Sequence, residues 1–180
     1  MAIDEPARVV VICHANVARS VVAAQLLRDA TDERGIAVEL RTAGTHATEG
    51  QPVSARTVTA LTKATGSPVS LGAHRAHLLS GDDVEWADLI IAMEDSQVRF
   101  VRRLHPEAAD RVATLALLAE ELPRDKRSLS ERVMSLGLAA RHGSGDGDVQ
   151  DPAGGDDDAY ERVTTALIAR CGELAARLGG

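Results

Sequence analysis

The residues of this chain best suited to chemistry are Cys13 and Arg19, six positions apart, with Cys13 closing an apolar run from Val9 to Ile12. A cysteine at the end of a buried strand, followed by a short loop and then a helix, can surround a tetrahedral oxyanion. The loop turns backbone N–H groups inward, the helix points its positive end at the same spot, and the arginine closes over the top. Such a field favours the thiolate form of a cysteine placed in it. The predicted chemistry is nucleophilic attack by Cys13 on a phosphoryl or similar group. The plainer alternative makes Cys13 a small buried hydrophobe and Arg19 an ordinary helix-start arginine. That alternative leaves a cation in a first helical turn, where cations are disfavoured. An anion bound at the same place accounts for it.

A reaction of this kind needs a carboxylic acid to protonate the leaving oxygen and then activate water. Asp151 is the best candidate, because Asp151-Pro152 before Gly154 and Gly155 is a tight turn and not a generic solvated run. Asp151 fits equally a turn residue whose side chain bonds nearby backbone. The neighbouring acids Asp156 to Asp158 read as the N-terminal cap of the last helix. The whole acidic, glycine-rich stretch from His142 to Asp158 lacks the ligand spacing and closing glutamate of a calcium loop.

The elements that must position these residues follow from periodicity. Strands are predicted at Val9–Ile12, Ala37–Thr42, Ala87–Met93 and Arg111–Leu115. Helices are predicted at Ser20–Glu33, Ser54–Thr65, Asp95–Leu104 and Asp156–Leu178. A short extended piece is expected near His74–Leu78, a helical turn at Asp82–Trp86, and two short helical patches before Arg141. Strands alternating with helices imply an α/β fold: a three-layer sandwich with a central, mainly four-stranded parallel sheet and helices on both faces. Residues 1–180 are expected to form a single domain. Ligands on such sheets sit outside the carboxyl ends of the strands, which is where Cys13 lies.

Composition narrows the function classes. Aromatics are only 2% of the chain, so the core must be aliphatic. The formal net charge of −7, without a basic cluster, argues against a nucleic-acid partner. No apolar run is long enough to span a bilayer, so a membrane partner is not expected. The polar start, Met1 to Pro6, is unlike a signal peptide. Two cysteines, Cys13 and Cys171, are too few for a disulfide framework or a zinc site. A reducing cytoplasm is the expected location.

With Cys13, Arg19, Ser20 and Asp151 in place, the chain resembles the low-molecular-weight protein tyrosine phosphatase family. That family carries Cys-x-Gly-Asn-x-Cys-Arg-Ser after its first strand and a late Asp-Pro. Cys13, Asn16, Arg19 and Ser20 fall on matching positions, as do Thr42 to Thr45, His74 to Ala76, Ala87 to Met93 and Asp151 to Gly155. The resemblance implies a phosphomonoesterase, acting on phosphotyrosine protein or an aryl phosphate through a phosphocysteine intermediate. It makes Cys13 the nucleophile. Arg19 and the N–H groups of His14, Ala15, Asn16, Val17, Ala18 and Arg19 would hold the phosphoryl oxygens. Ser20 would donate to the thiolate. Asn16 would adopt a left-handed conformation braced by Ser20, Thr42 and His74. Asp151 would serve as acid and then base. No metal or cofactor is implied. Phosphate or sulfate should lodge in the loop, and the partner is a phosphorylated protein or small phosphomonoester.

The chain also departs from the pattern. Ala15 replaces the glycine, and Ala18 stands where a second cysteine is frequent. The aromatic walls that flank the family's pocket are replaced by residues such as Ala47, Ala153 and Gly154, so a phosphotyrosine ring should lack stacking partners. The Asp151 segment is similar to the bacterial branch that includes protein arginine phosphatases, although Val17 replaces the threonine that reads the guanidinium there. His14, at the rim, fits either a substrate contact or a solvent-exposed bystander, and the second is the simpler reading. His46, His77, His105 and His142 read as ordinary surface or capping histidines. The stretch from Arg124 to Gln150 is longer than the family's usual connection. Two rivals stay open: an arsenate reductase using an external small thiol, and a non-catalytic phosphate-binding module.

Overall fold

The apolar run around Val9 becomes the middle of a parallel sheet. The computed structural model describes residues 5–180, so Met1 to Asp4 of the polar start lie outside the described residues. Strand β1 (Ala7–Cys13) is flanked by β2 (Val38–Gly44) and β3 (Leu89–Ala92), and β4 (Val112–Thr114) pairs with β3. The order is β2-β1-β3-β4, all parallel.

Period-two alternation divides the strand residues between two cores. Val9, Val11, Leu89 and Ile91 face one side, where they join Leu27, Leu61, Leu118, Leu167 and Leu174. These come from α1 (Arg19–Asp32), α2 (Ala55–Thr65), α5 (Leu115–Glu121) and α7 (Asp157–Leu178). Val10, Ile12, Ile90 and Ala92 face the other side and meet Val84, Val98 and Val101. These come from α3 (Gly81–Trp86) and α4 (Asp95–Leu104). Helix α6 (Leu129–Met134) adds Val133 to the first core. The result is the expected three layers. The sheet core is aliphatic, because the alternating strand positions and their helical partners are Val, Leu, Ile and Ala.

The observed strand ends differ from the sequence expectation for local reasons. Residues Ala87 and Met93 fall outside β3. The Ala87 N–H caps α3 on the carbonyl of Asp83, and the Met93 N–H donates to Gln97 Oε1 at the start of α4. Leu115 falls outside β4 because Thr114 Oγ1 accepts from the Leu117 N–H and starts α5. Strand β2 runs on to Gly44, paired with Cys13. An added Cβ at Gly44 would sit 2.6 Å from the His14 carbonyl oxygen and 3.0 Å from the Asn16 nitrogen. The loop after β1 therefore lies directly on the end of β2.

Chain order places the candidate site. From β1 the chain goes to β2 on one side, then crosses to β3 on the other. The carboxyl ends of β1 and β3 thus open a crevice at the point where strand order reverses. Cys13 ends β1 and Glu94 follows β3, so both residues border that crevice.

Candidate active site

The loop from His14 to Ala18 treats its carbonyls and its N–H groups differently. The carbonyls of Cys13, His14 and Val17 accept from the N–H groups of Thr45, His46 and Ser54, each at 2.9 Å. The Asn16 carbonyl accepts from His74 Nε2 at 2.7 Å, and the Ala18 carbonyl accepts from Val22. None of the main-chain N–H groups from His14 to Ala18 donates a hydrogen bond among the described residues. Unpaired backbone donors in a folded loop are uncommon. Helix α1 adds to the set, because it begins with no side-chain cap and no acid in its first turn. The loop thus offers a row of free donors beside a helix N-terminus, which is the setting that anions favour.

Asn16 holds the loop shape. It is the only non-glycine residue at positive φ among the described residues, at 55°, and it is fully buried. Asparagine tolerates this region better than most side chains. Its amide orientation is fixed by an unambiguous donor: Asn16 Oδ1 accepts from the His77 N–H at 2.9 Å. Nδ2 therefore points the other way and donates to Ser20 Oγ at 2.9 Å. With one lone pair of Ser20 taken by Asn16, the hydroxyl hydrogen is free to turn to Cys13 Sγ, 3.0 Å away. Since a carbonyl only accepts, His74 carries its hydrogen on Nε2 in this contact.

The expected brace from Thr42 is not present: its side chain makes no hydrogen bond to Asn16, and the His77 main chain takes that place. Thr42 sits one residue before the buried end of β2, paired with Val11 and not with the loop.

Arg19 is 1% exposed and lies against two carboxylates. One guanidinium nitrogen donates to Glu94 and, at 2.9 Å, to the Val149 carbonyl. The other donates to Asp151 Oδ2 at 2.5 Å. Arg19 Nε is buried and has no partner among the described residues. Asp151 makes the turn contact that one sequence reading expected and also reaches Arg19 in the site. Its Oδ1 accepts from the Ala153 N–H at 3.0 Å, a turn contact, while Oδ2 reaches Arg19. The long connection from Arg124 to Gln150 places Val149 and, through it, Asp151. The Val149 N–H donates to the Met93 carbonyl at 2.8 Å, and Asp148 Oδ1 accepts from the Asp95 N–H at 2.8 Å.

Sequence reasoning missed Glu94, Val149 and His77. Glu94 had a signal: it follows the carboxyl end of a buried strand, as Cys13 does. Val149 and the His77 N–H act through the main chain, which carries no residue-type signal. Cys171, the other thiol, is fully buried in α7, and burial pushes it up to about 12. It therefore remains a packing residue.

The mouth of the site also differs from the expectation of bare walls. A cavity of about 550 Å3 beside the loop is lined by His14, His46, Glu94, Arg99, Phe100 and Arg103, among others. His14 and His46 stack with ring centres 4.6 Å apart, and Phe100 meets His46 at 5.3 Å. His14 comes from the loop after β1, His46 from just beyond β2 and Phe100 from α4, while Ala153 and Gly154 remain exposed on the turn that carries Asp151.

Comparison with known proteins agrees with this geometry. The family model described as low molecular weight phosphotyrosine protein phosphatase matches residues 8–131. A protein-arginine-phosphatase of Geobacillus stearothermophilus is 28% identical over 96% of this chain and 97% of its own length. The solved arginine phosphatase YwlE from the same organism superposes with a TM-score of 0.74, covering 97% of this chain and 94% of that one, at 28% identity. A low molecular weight protein tyrosine phosphatase of T. tengcongensis gives a TM-score of 0.74 at 27% identity, covering 93% of this chain and 97% of that one. A strand-end cysteine, a loop of unpaired amides and a buried arginine, on a chain matched over most of its length, agree with the family model, and the chain belongs to the low molecular weight phosphotyrosine protein phosphatase family, as a cysteine-based phosphatase.

Proposed function

We propose that the protein hydrolyses a phosphorylated side chain through a phosphocysteine intermediate on Cys13, with an aryl phosphomonoester of the phosphotyrosine type as substrate. The row of unpaired N–H groups from His14 to Ala18 carries the proposal. A phosphoryl group set there meets preorganised donors on its equatorial oxygens, where charge develops in the transition state. Arg19 Nε adds a buried donor without a partner. The Cys13 thiolate attacks phosphorus in line, and the bond to the leaving oxygen breaks as Asp151, released from Arg19 when the phosphoryl oxygens take up the guanidinium and carrying a proton once released, gives that oxygen its proton. In the second step Asp151 takes a proton from water, water attacks phosphorus, and the thiolate departs with the Ser20 hydroxyl donating to it.

Phosphoarginine is the second reading, supported by the full-length similarity to a protein-arginine-phosphatase. Against it, Val17 brings no hydrogen-bonding side chain to the loop. Arsenate reduction would depend on an external small thiol, because Cys171 is sealed in α7. The thiol chemistry also suits the reducing cytoplasm.

The test is hydrolysis of an aryl phosphate, a phosphotyrosyl peptide and a phosphoarginyl peptide by the wild type, Cys13→Ser and Asp151→Asn. Cys13→Ser should abolish turnover. Asp151→Asn should slow it by about 10²- to 10⁴-fold, most for poor leaving groups. Full activity in Cys13→Ser would refute the mechanism. Tight phosphate binding by a wild type that hydrolyses nothing would make the loop a binding module instead.

A further inference from the structure

We propose that the cavity bounded by His14, His46, Phe100 and Arg103 is a substrate subsite that takes an acidic side chain flanking the phosphorylated residue. The proposal rests on the phosphatase reading above and adds what the enzyme selects.

The cavity begins where the phosphate loop begins. His14 follows Cys13 directly, and Glu94, which lines the same cavity, holds Arg19. A chain that presents its phosphorylated residue to Cys13 therefore passes its neighbouring residues over this space.

The charges around the cavity are unequally engaged. Glu94 is turned to Arg19 and also accepts from Ser96 Oγ. Arg99 is paired with Asp95, a buried carboxylate beneath it. Arg103 alone among these charged groups has no ion-pair partner among the described residues. Its guanidinium carbon lies 5.9 Å from the centre of the Phe100 ring, at the outer reach of a cation–π contact. The stacked His14 and His46 rings continue the ring surface from Phe100, which His46 meets at 5.3 Å. His46 Nδ1 is 2.9 Å from Thr45 Oγ1, so the ring is oriented from below. A free guanidinium, an aromatic floor and imidazole nitrogens in one concave space suit a carboxylate on a short side chain. The molecule as a whole carries −7, which makes a cationic mouth selective: acidic chains are repelled elsewhere and accepted here.

The experiment uses phosphotyrosyl and phosphoarginyl peptides, each with glutamate or with lysine beside the phosphorylated residue, and a small aryl phosphate as reference. The wild type should prefer the glutamate peptides in kcat/KM, with the preference shrinking at high salt. Arg103→Glu should shift the glutamate-to-lysine ratio by about 10-fold towards lysine, while hydrolysis of the small aryl phosphate stays unchanged. Phe100→Leu should reduce the same ratio without reversing it. An unchanged ratio in Arg103→Glu, with aryl phosphate hydrolysis intact, would overturn the subsite and leave the phosphatase reading standing. A wild type inactive on every phosphorylated substrate would overturn both.

Discussion

At the residue scale, the site depends on which atoms are free and which are engaged. Asn16 spends its side chain on the His77 N–H and Ser20 Oγ, which leaves the Ser20 hydrogen for Cys13. Ala15, at the family's glycine position, is half-buried, while the crowding constraint lies at a neighbouring glycine. Gly44 has no room for a Cβ, which would stand 2.6 Å from a backbone oxygen of the loop. Gly44→Ala should cost about 1–3 kcal/mol of stability through overpacking. Because the atoms displaced belong to the phosphate loop, kcat/KM should also fall by about 10-fold or more. Thermal unfolding and an aryl phosphate assay read the two effects, and wild-type turnover in Gly44→Ala would contradict the placement of the loop. At this scale the sequence was informative where side chains do the work. Cys13, Arg19 and Asp151 stand out by type and spacing, while Asn16, Ser20 and His74 were legible through the family resemblance. The Gly44 contact was hidden, since it is an approach between two backbones far apart in the chain.

At the element scale, the site is a junction of strand ends held by loops. The segment from His74 to Leu78 was legible only as extended. In the structure it bridges Pro52 and Gly44 and brings the His77 N–H to Asn16. The His77 ring lies between two carboxylates, with Nε2 at 2.9 Å from Asp83 and Nδ1 at 3.2 Å from Glu49. Burial alone would lower His77, but the hydrogen bond and charge of Asp83, joined by Glu49, outweigh it and hold the ring above its usual 6.5. Asp83 is pushed up by burial, yet hydrogen bonds from Ser80 and His77 keep it below its usual value. Arg41, 3.9 Å from Asp83, acts in the same direction on that carboxylate.

The linkage sign follows. A raised histidine contributes stability that is fully present below about pH 6.5 and is lost as pH rises through the folded value. The ring is 45% exposed, so the contribution is a few tenths of a kcal/mol after solvent screening. Denaturant unfolding of wild type and His77→Gln at several pH values should show a difference that shrinks from pH 6 to pH 9. A difference independent of pH would mean that folding leaves the affinity of His77 for its proton unchanged, against the raised value that the two carboxylates give it. By contrast α4 has the bounds expected from the sequence, where His105-Pro106 stops it, and Gln97 Oε1 fixes its start by accepting from the Met93 and Glu94 N–H groups.

At the scale of the whole molecule, the aliphatic alternation of Val9 to Ile12 and Leu89 to Ala92 specified the sheet and its two covered faces. Strand order then opens the crevice between β1 and β3, bordered by Cys13 and Glu94. What the sequence concealed is the route of the long connection after α5. Its value lies in main-chain contacts: Val149 bonded to Met93 and Arg19, and Asp148 bonded to the start of α4. These contacts carry the acid turn across the molecule to Arg19. No helix among the described residues is long and apolar enough to cross a membrane.

The most direct measurement is the fate of the phosphoryl group during turnover. Asp151→Asn, lacking the base for the second step, should accumulate covalent phosphoenzyme when mixed with a good aryl phosphate and quenched rapidly. Peptide mass spectrometry should place one phosphoryl group on Cys13. A phosphoryl group on any other residue, or steady hydrolysis by the Cys13→Ser protein with no adduct at all, would contradict the account.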